Sequence, residues 1–190
     1  MAYTISVLTS DQLDKIRQTA AILVEGFAEH WPESWPTMES ALAEVRESFG
    51  AGRISRIACN DEGEVLGWIG GIPTYDGRVW ELHPLVVKPA HQGRGIGRAL
   101  VADLESQVAE RGGLTLWLGS DDVDDMTSLA GVDLFPDPLG HLGNIRNLSG
   151  HPYEFYTKLG FSLSGVMPDA NGPGKPDIFL AKRIGGASST

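Results

Sequence analysis

The chain has one cysteine, Cys59, among its 190 residues. A single cysteine excludes an intramolecular disulfide and a structural zinc site built on several cysteines. No stretch is apolar over the length that a transmembrane helix needs, and the first residues lack a basic region followed by a long apolar run. We therefore expect a soluble, cytoplasmic protein without a secretion signal, in which Cys59 is a buried structural thiol.

Positive charge is also scarce, with 15 Lys and Arg against 25 Asp and Glu and a formal net charge of -10. A field of that sign repels phosphate backbones and attracts cations, so nucleic acid is an unsuitable partner and a polycationic small molecule is a suitable one. Many soluble proteins are acidic for solubility alone, so charge by itself does not decide the function. The five His residues show no His-x-x-x-His or Glu-x-x-His spacing, and we predict no metal.

Length and composition predict one globular domain. Hydrophobic residues make up 42% of the chain and charged residues 21%, which is ordinary for a folded protein. The last residues are small and polar. We expect a single domain over residues 1–184, followed by a frayed tail over residues 185–190.

Hydrophobic periodicity and turn residues predict seven strands and four helices. The predicted strands are Tyr3–Leu8, Ile54–Ala58, Val65–Ile72, Val79–Val87, Leu114–Leu118, Phe161–Val166 and Ile178–Ala181. The first predicted helix follows a capping box at Thr9–Gln12, and the second runs from Met38 to Phe49 with Thr37 as its cap. The third carries Ile96, Leu100, Leu104 and Val108 on one face, and the fourth runs from Pro152 to Leu159. Residues 119–150, rich in Asp, Gly and Pro, receive no assignment.

The order of these elements indicates a mixed sheet. Three consecutive strands, from Ile54 to Val87, form an antiparallel meander, and a strand–helix–strand unit follows in which the two strands should be parallel. A dinucleotide-binding fold would instead begin with strictly alternating strands and helices.

The stretch Gln92-Gly93-Arg94-Gly95-Ile96-Gly97-Arg98 joins a strand to a helix. Glycines at such a junction let the backbone approach a ligand, and free N–H groups at a helix N-terminus favour an anion such as a pyrophosphate. A P-loop would need a Gly-Lys-Ser/Thr triplet, which is absent. A glycine turn without a ligand is the alternative.

The pattern Gln-x-x-Gly-x-Gly, preceded by Val-x-Pro, resembles the acetyl-coenzyme A signature of the GNAT superfamily of N-acetyltransferases. Further stretches resemble one branch of it, the aminoglycoside 6'-N-acetyltransferases. They are Trp80–Val87, Arg111–Leu114, Leu118–Asp122, His151–Tyr156 with Gly160-Phe161, and Pro168–Gly172 through Lys175–Asp177. The resemblance covers roughly residues 67–183 and is weaker over the N-terminal helices.

This resemblance implies an α/β acyl-CoA N-acyltransferase fold, with antiparallel N-terminal strands, splayed parallel central strands and flanking helices. It implies acetyl transfer from acetyl-CoA to the 6'-amine of an aminoglycoside by direct attack in a ternary complex, giving antibiotic resistance, and a homodimer. Two alternatives remain open at this point: acetylation of another polyamine or a protein N-terminus, and a non-catalytic sensor that binds acetyl-CoA or an antibiotic.

Acyl transfer to an amine needs a proton acceptor, a polarised carbonyl and a proton donor for the leaving thiolate. Glu81 and His83 are two apart on a strand and so share a face, where Glu81 could draw the proton from the substrate ammonium. A backbone N–H near Leu85 could polarise the carbonyl. The resemblance places Tyr156 near the coenzyme sulfur as the proton donor, with Tyr153 a weaker candidate. Structural roles are the alternative for each of these side chains.

The coenzyme-binding and substrate-binding predictions complete the site. The expected coenzyme-binding residues are Leu85, Val86, Val87, Gln92, Gly93, Arg94, Gly95, Ile96, Gly97, Arg98 and Tyr156. The expected substrate-binding residues are Trp31, Trp35, Glu81, Asp121 and Asp122, because aromatic rings and carboxylates can hold a cationic sugar. A loop pinned by buried Trp and a solvated acidic loop are the alternatives for the Trp and Asp residues.

Overall fold

The computed structural model describes residues 2–185, and two compact units make up the chain. Of the described residues, the first unit comprises 2–116 with 184–185, and the second comprises 117–183. The expected frayed tail, apart from Gly185, lies outside the described residues. The expectation of one domain over residues 1–184 stays a prediction.

Four antiparallel strands form the sheet of the first unit, in the order β1 (Tyr3–Val7), β2 (Ile54–Asn60), β3 (Val65–Thr74) and β4 (Val79–Val87). The predicted meander is therefore confirmed. The hairpin between β2 and β3 closes at Gly63, whose N–H donates to the carbonyl of Asn60 at 3.0 Å.

A bulge interrupts the pairing of β3 with β4. Ile69 pairs with Leu85 and Gly71 pairs with Leu82, so two steps on β3 oppose three steps on β4. The extra residue lies at His83-Pro84, opposite Gly70. A Cβ atom on Gly70 would lie 2.2 Å from the backbone carbonyl oxygen of His83, so only glycine fits there.

Three helices belong to the first unit: α1 (Leu13–Phe27), α2 (Met38–Glu47) and α3 (Ile96–Glu110). Thr37 caps α2 in a capping box with Ser40, as the sequence predicts in part. At α1 the predicted capping box is only half formed: the Gln12 side chain accepts from the Thr9 N–H, but the Thr9 hydroxyl donates to Asp11. Because the competing carboxylate takes that hydroxyl, α1 begins at Leu13 without a side-chain cap.

Apolar side chains of the helices form the core of the first unit. Ile16, Ala20 and Leu23 of α1 pack with Val45 of α2 and Trp68 of β3, and each is at most 4% exposed. On α3 the four periodic residues Ile96, Leu100, Leu104 and Val108 are all buried, which confirms their predicted face. This packing holds the N-terminus of α3 and the end of β4 in fixed positions.

The second unit contains most of β5 (Thr115–Asp121), then α4 (Pro138–Gly143), α5 (Tyr153–Lys158), β6 (Ser162–Met167) and β7 (Asp177–Arg183). Its strands lie in the order β5-β7-β6, with β6 antiparallel to β7. Most of residues 119–150 is irregular, with one bridge between Thr127 and Asn147. Over the described range, no helix is both long enough and apolar enough to cross a bilayer.

Candidate functional site

The glycine turn of the first unit presents unbonded N–H groups. Gly93 and Gly95 have φ values of 71° and 85°, in the left-handed region that favours glycine. Gly95 is the N-terminal cap of α3, and no side chain caps this helix. The first N–H groups of α3, at residues 96–98, therefore lack intrahelical acceptors and are available to an anion.

Positive charge accompanies these N–H groups. The side chains of Arg94 and Arg98 are exposed, and neither makes an ion pair with any residue between 2 and 185. Gln92 links the turn to the preceding strand, because its Nε2 donates to the carbonyl of Val87 at 3.2 Å. The turn thus combines a helix N-terminus, two guanidinium groups and a fixed junction with β4.

Residues along β4 alternate between buried and half-exposed positions. Glu81 and His83 share one half-exposed face, as the strand period predicts, and the bulge at His83-Pro84 places Leu85 and Val87, which are also half-exposed, on the opposite face. The Lys88 N–H donates to the carbonyl of Leu66 on the β3 side at 2.9 Å. Because bonding alternates along an antiparallel pair, the N–H groups of Leu85 and Val87 point to the opposite edge of β4, away from β3.

His83 lies against α2 and the loop that precedes it. Its Nε2 is 3.6 Å from Oε1 of Glu44, and its ring centroid is 6.0 Å from that of Trp35. The Trp35 indole N–H donates to Oε2 of Glu44 at 3.4 Å. Trp35 also packs edge-on against Phe27, with ring centroids 4.6 Å apart. The first unit therefore brings His83 and Trp35 together around a carboxylate.

Trp31 belongs to the same aromatic group, with its ring centroid 5.8 Å from that of Phe27. Trp31 and Trp35 are both half-buried, so each ring is partly packed and partly open to solvent. This arrangement combines the two sequence interpretations, a pinned loop and an accessible aromatic surface.

Asp121 and Asp122, at the end of β5, have different environments. Asp122 is 0% exposed, and its two carboxylate oxygens accept from the N–H groups of Met126 and Thr127 at 2.7 and 2.9 Å. It therefore holds the loop after β5, and it has no exposed surface with which to contact a substrate. Asp121 is half-exposed and accepts a hydrogen bond from Asn171.

His151 joins the end of β5 to the start of α5. Its Nδ1 accepts from the Tyr153 N–H at 3.2 Å, and its Nε2 lies 3.3 Å from the carbonyl oxygen of Asp121. A neutral ring with its proton on Nε2 satisfies both contacts. Burial lowers the pKa of His151 below its usual value, although the charges of Asp122 and Asp121 oppose that shift.

Tyr156 lies on α5 and is 8% exposed. Its ring packs against Phe155 and Phe161, with centroids 5.0 and 5.7 Å away. Burial raises the pKa of Tyr156 well above that of an ordinary phenol. The hydroxyl therefore keeps its proton at neutral pH and can act as a proton donor but not as a base.

The sequence analysis assigns no role to two residues of these clusters, Glu44 and His151. Glu44 is on α2, beside the buried Val45 and three residues after the buried Ala41, and a carboxylate on the core-facing side of a helix is a usable signal. His151 lies in a stretch identified by resemblance, but its contacts depend on the loop path. Between residues 2 and 185, no group of three or more His, Cys, Asp or Glu side chains could hold a metal ion.

A family model supplies the first comparison. Residues 18–130 match the model described as the acetyltransferase (GNAT) family. Among curated proteins, none matches the chain.

Several solved structures are similar over nearly the full length. An aminoglycoside 6'-N-acetyltransferase in complex with coenzyme A is 39% identical, covers 98% of this chain and 99% of its own, and has a TM-score of 0.88. The aminoglycoside 6'-N-acetyltransferase from Enterococcus faecium is also 39% identical, with the same coverage and a TM-score of 0.86. An aminoglycoside 6'-acetyltransferase of type Ii is 37% identical, covers 96% and 98%, and has a TM-score of 0.72. The predicted α/β fold class is confirmed by these comparisons.

Proposed function

This chain belongs to the GNAT family of acetyltransferases, and from that premise we propose that it transfers the acetyl group of acetyl-CoA to the 6'-amine of an aminoglycoside. The observation that carries the proposal is the 39% identity to an aminoglycoside 6'-N-acetyltransferase over nearly all of both chains. The residues of the described units fit each chemical requirement of that reaction.

The glycine turn fits the pyrophosphate of the coenzyme. Backbone N–H groups at the start of α3 would bind phosphate oxygens, and Arg94 and Arg98 would add charge-assisted contacts. When bound, acetyl-CoA supplies an activated acyl group as a thioester. The remaining coenzyme contacts assigned to Leu85, Val86, Val87, Gln92, Gly93 and Gly97 follow the same strand and turn.

β4 supplies the groups that activate the two reactants. The Leu85 N–H, which points away from β3, donates to the carbonyl oxygen of the acyl group and stabilises the charge that develops there. Glu81 holds the substrate ammonium and accepts its proton, directly or through a water, which frees the nitrogen lone pair. The nitrogen then attacks the carbonyl carbon, and His83 on the same face orients the amine.

Tyr156 completes the transfer. As the carbon–sulfur bond breaks, the Tyr156 hydroxyl donates its proton to the leaving sulfur, and the second proton that the nitrogen loses as the amide forms restores the hydroxyl through solvent. An ordinary phenol is already protonated at neutral pH, and burial, which raises the pKa of Tyr156, keeps this one so.

The substrate contacts are proposed for side chains that have exposed surface. Trp31 and Trp35 provide half-buried rings for the sugar and its ammonium groups, and Asp121 provides a half-exposed carboxylate. Because Asp122 is wholly buried and bonded to backbone N–H groups, the proposal assigns it to the support of the loop and not to substrate binding.

We also propose that the protein is a cytoplasmic homodimer that confers aminoglycoside resistance. The resemblance to this branch of acetyltransferases supports the dimer and the resistance, and dependence on acetyl-CoA supports the location. Light scattering after size exclusion tests the dimer, and the change in minimal inhibitory concentration on expression tests resistance.

Release of free thiol from acetyl-CoA tests the activity. The substrates are kanamycin, an analogue with a 6'-hydroxyl in place of the 6'-amine, spermidine and a short peptide. Turnover of kanamycin but not of the 6'-hydroxyl analogue is the expected result. Turnover of spermidine or the peptide alone would contradict the aminoglycoside assignment, and coenzyme binding without turnover of any amine would indicate a sensor.

A further inference from the structure

One carboxylate in the first unit, that of Glu44, contacts two of the side chains proposed to face the substrate, Trp35 and His83. Oε2 of Glu44 accepts the Trp35 indole N–H at 3.4 Å, and Oε1 lies 3.6 Å from Nε2 of His83. The second distance is longer than a normal hydrogen bond, and this contact is an ion pair only when the imidazole is protonated. The Glu44 side chain is 19% exposed and that of His83 is 41% exposed.

The backbone at Glu44 is held in place because α2 is capped at its N-terminus and buried on one side along its length. The capping box of Thr37 and Ser40 closes the N-terminus, and Ala41 and Val45 are fully buried in the core. Glu44 lies between these buried positions along the helix. The backbone of Glu44 is therefore fixed by the packing of α2, whereas Trp35 comes from a loop and His83 from the bulged segment of β4.

We propose that Glu44 is a positioning residue that fixes the Trp35 indole and the His83 imidazole for the substrate amine, an inference that rests on the proposed function. The Trp35 ring, on a loop, and the His83 ring, on a bulged strand, can each change orientation independently of the other. A carboxylate that contacts both rings couples their orientations. Without it, the two rings would have to be ordered by the substrate itself, at a cost in binding. The carboxylate also adds negative charge on the side of β4 that carries Glu81, which favours an ammonium group.

The test compares substitutions at Glu44 with the same substitutions at Glu47. Glu44→Leu keeps a similar volume and removes both contacts, while Glu44→Gln removes the charge and keeps an acceptor. Glu47 lies one turn further along α2, and its side chain is 68% exposed, so Glu47→Leu changes charge on the same helix without affecting the two rings. Melting temperature and the KM for acetyl-CoA control for folding and for the coenzyme site.

Glu44→Leu is expected to raise the KM for kanamycin about tenfold, corresponding to about 1.4 kcal/mol, and to leave the KM for acetyl-CoA within about twofold. Glu44→Gln should give a smaller rise, and Glu47→Leu none. An unchanged KM for kanamycin in Glu44→Leu would overturn the inference.

A spectroscopic measurement separates this inference from the proposed function. In two-dimensional NMR spectra, Glu44→Leu should shift the indole N–H signal of Trp35 and the ring signals of His83, with assignments from Trp35→Phe and His83→Gln. If the wild-type protein acetylates no aminoglycoside, the proposed function fails, and these shifts still decide the role of Glu44. Signals that stay at their wild-type positions would refute the coupling of the two rings.

Discussion

Burial of the Tyr156 side chain determines whether its hydroxyl can act as a base or as a proton donor. The aromatic neighbours of Tyr156 exclude water from its ring, and the resulting rise in pKa makes the phenolate inaccessible at neutral pH. Such a phenol cannot remove the amine proton in the first step, and it can donate a proton in the last step because a proton returns to it as the amide forms.

Tyr156→Phe is expected to lower kcat about 100-fold, since a general acid typically contributes 100-fold or more. The KM for acetyl-CoA should change little because the ring remains. Tyr153→Phe is the matched control, since it removes a hydroxyl from a buried ring on the same helix. Equal effects of the two substitutions in steady-state kinetics would exclude a specific role for the Tyr156 hydroxyl.

His151 makes stability depend on pH. Its pKa is lowered in the folded protein by burial, so the unfolded chain binds the proton more tightly. The associated stability is fully present above pH 6.5 and is lost as the pH falls below that value toward the folded pKa.

The free energy of unfolding in urea is therefore expected to fall more steeply between pH 7.5 and 5.5 in the wild type than in His151→Gln, by up to about 1 kcal/mol. His141→Gln, which replaces an exposed histidine of the same unit, should keep the wild-type slope. If all three proteins show parallel pH profiles, His151 is not the group responsible.

At the scale of elements, the turn before α3 requires glycine because of its backbone conformation, and not because a side chain would lack room. A Cβ atom at Gly95 would meet nothing within 4 Å, but the φ of 85° is unfavourable for any other residue. Gly112, at the other end of α3, has a φ of 78° and is equally uncrowded.

Gly95→Ala and Gly112→Ala should each destabilise the fold by about 1–2 kcal/mol, because both force alanine into a left-handed conformation. Only Gly95→Ala should raise the KM for acetyl-CoA, by about tenfold, because only that end of α3 carries the proposed phosphate site. A rise of equal size in Gly112→Ala would indicate a global effect in place of a local one.

The sequence predicts the regular elements well because their signals are local. The strands of the meander and the four periodic residues of α3 follow directly from alternation and helical spacing. The path of residues 119–150 was not predictable, since it depends on side chains that bond to distant backbone groups. The Ser128 hydroxyl, which accepts from the N–H of Arg146, 18 residues along the chain, at 2.9 Å, is an example.

The candidate site divides in the same way. The strand period predicts a shared face for Glu81 and His83, and the glycines predict the turn that is proposed to bind the coenzyme. Glu44 was missed because its two contacts join three separate segments of chain. The burial of Asp122 is not predictable for a related reason: a run of aspartates is expected to be exposed, and only the path of the loop buries one of them.

The surplus of negative charge acts at the scale of the whole molecule. A net charge of -10 should attract a polycationic antibiotic from solution and should not attract a neutral sugar. The attraction is screened as ionic strength rises, because the Debye length falls from about 10 Å at 0.1 M to about 3 Å at 1 M.

The kcat/KM for kanamycin is therefore expected to fall several-fold between 0.05 M and 0.5 M salt. An aminoglycoside derivative with fewer amino groups, but with its 6'-amine intact, should show a weaker dependence. Identical salt profiles for the two substrates would show that the overall field does not contribute to their capture.

The contact between Gly70 and the His83 carbonyl limits how this protein can change its substrate. Substitution of a side chain proposed to face the amine does not require the backbone of β4 to move. Residue 70 cannot be exchanged, because its neighbour on the bulge leaves no room for a single methyl group. A directed-evolution library for activity on other amines should therefore recover variation at residues 31 and 35 and invariant glycine at residue 70, where any Cβ atom would clash with the His83 carbonyl.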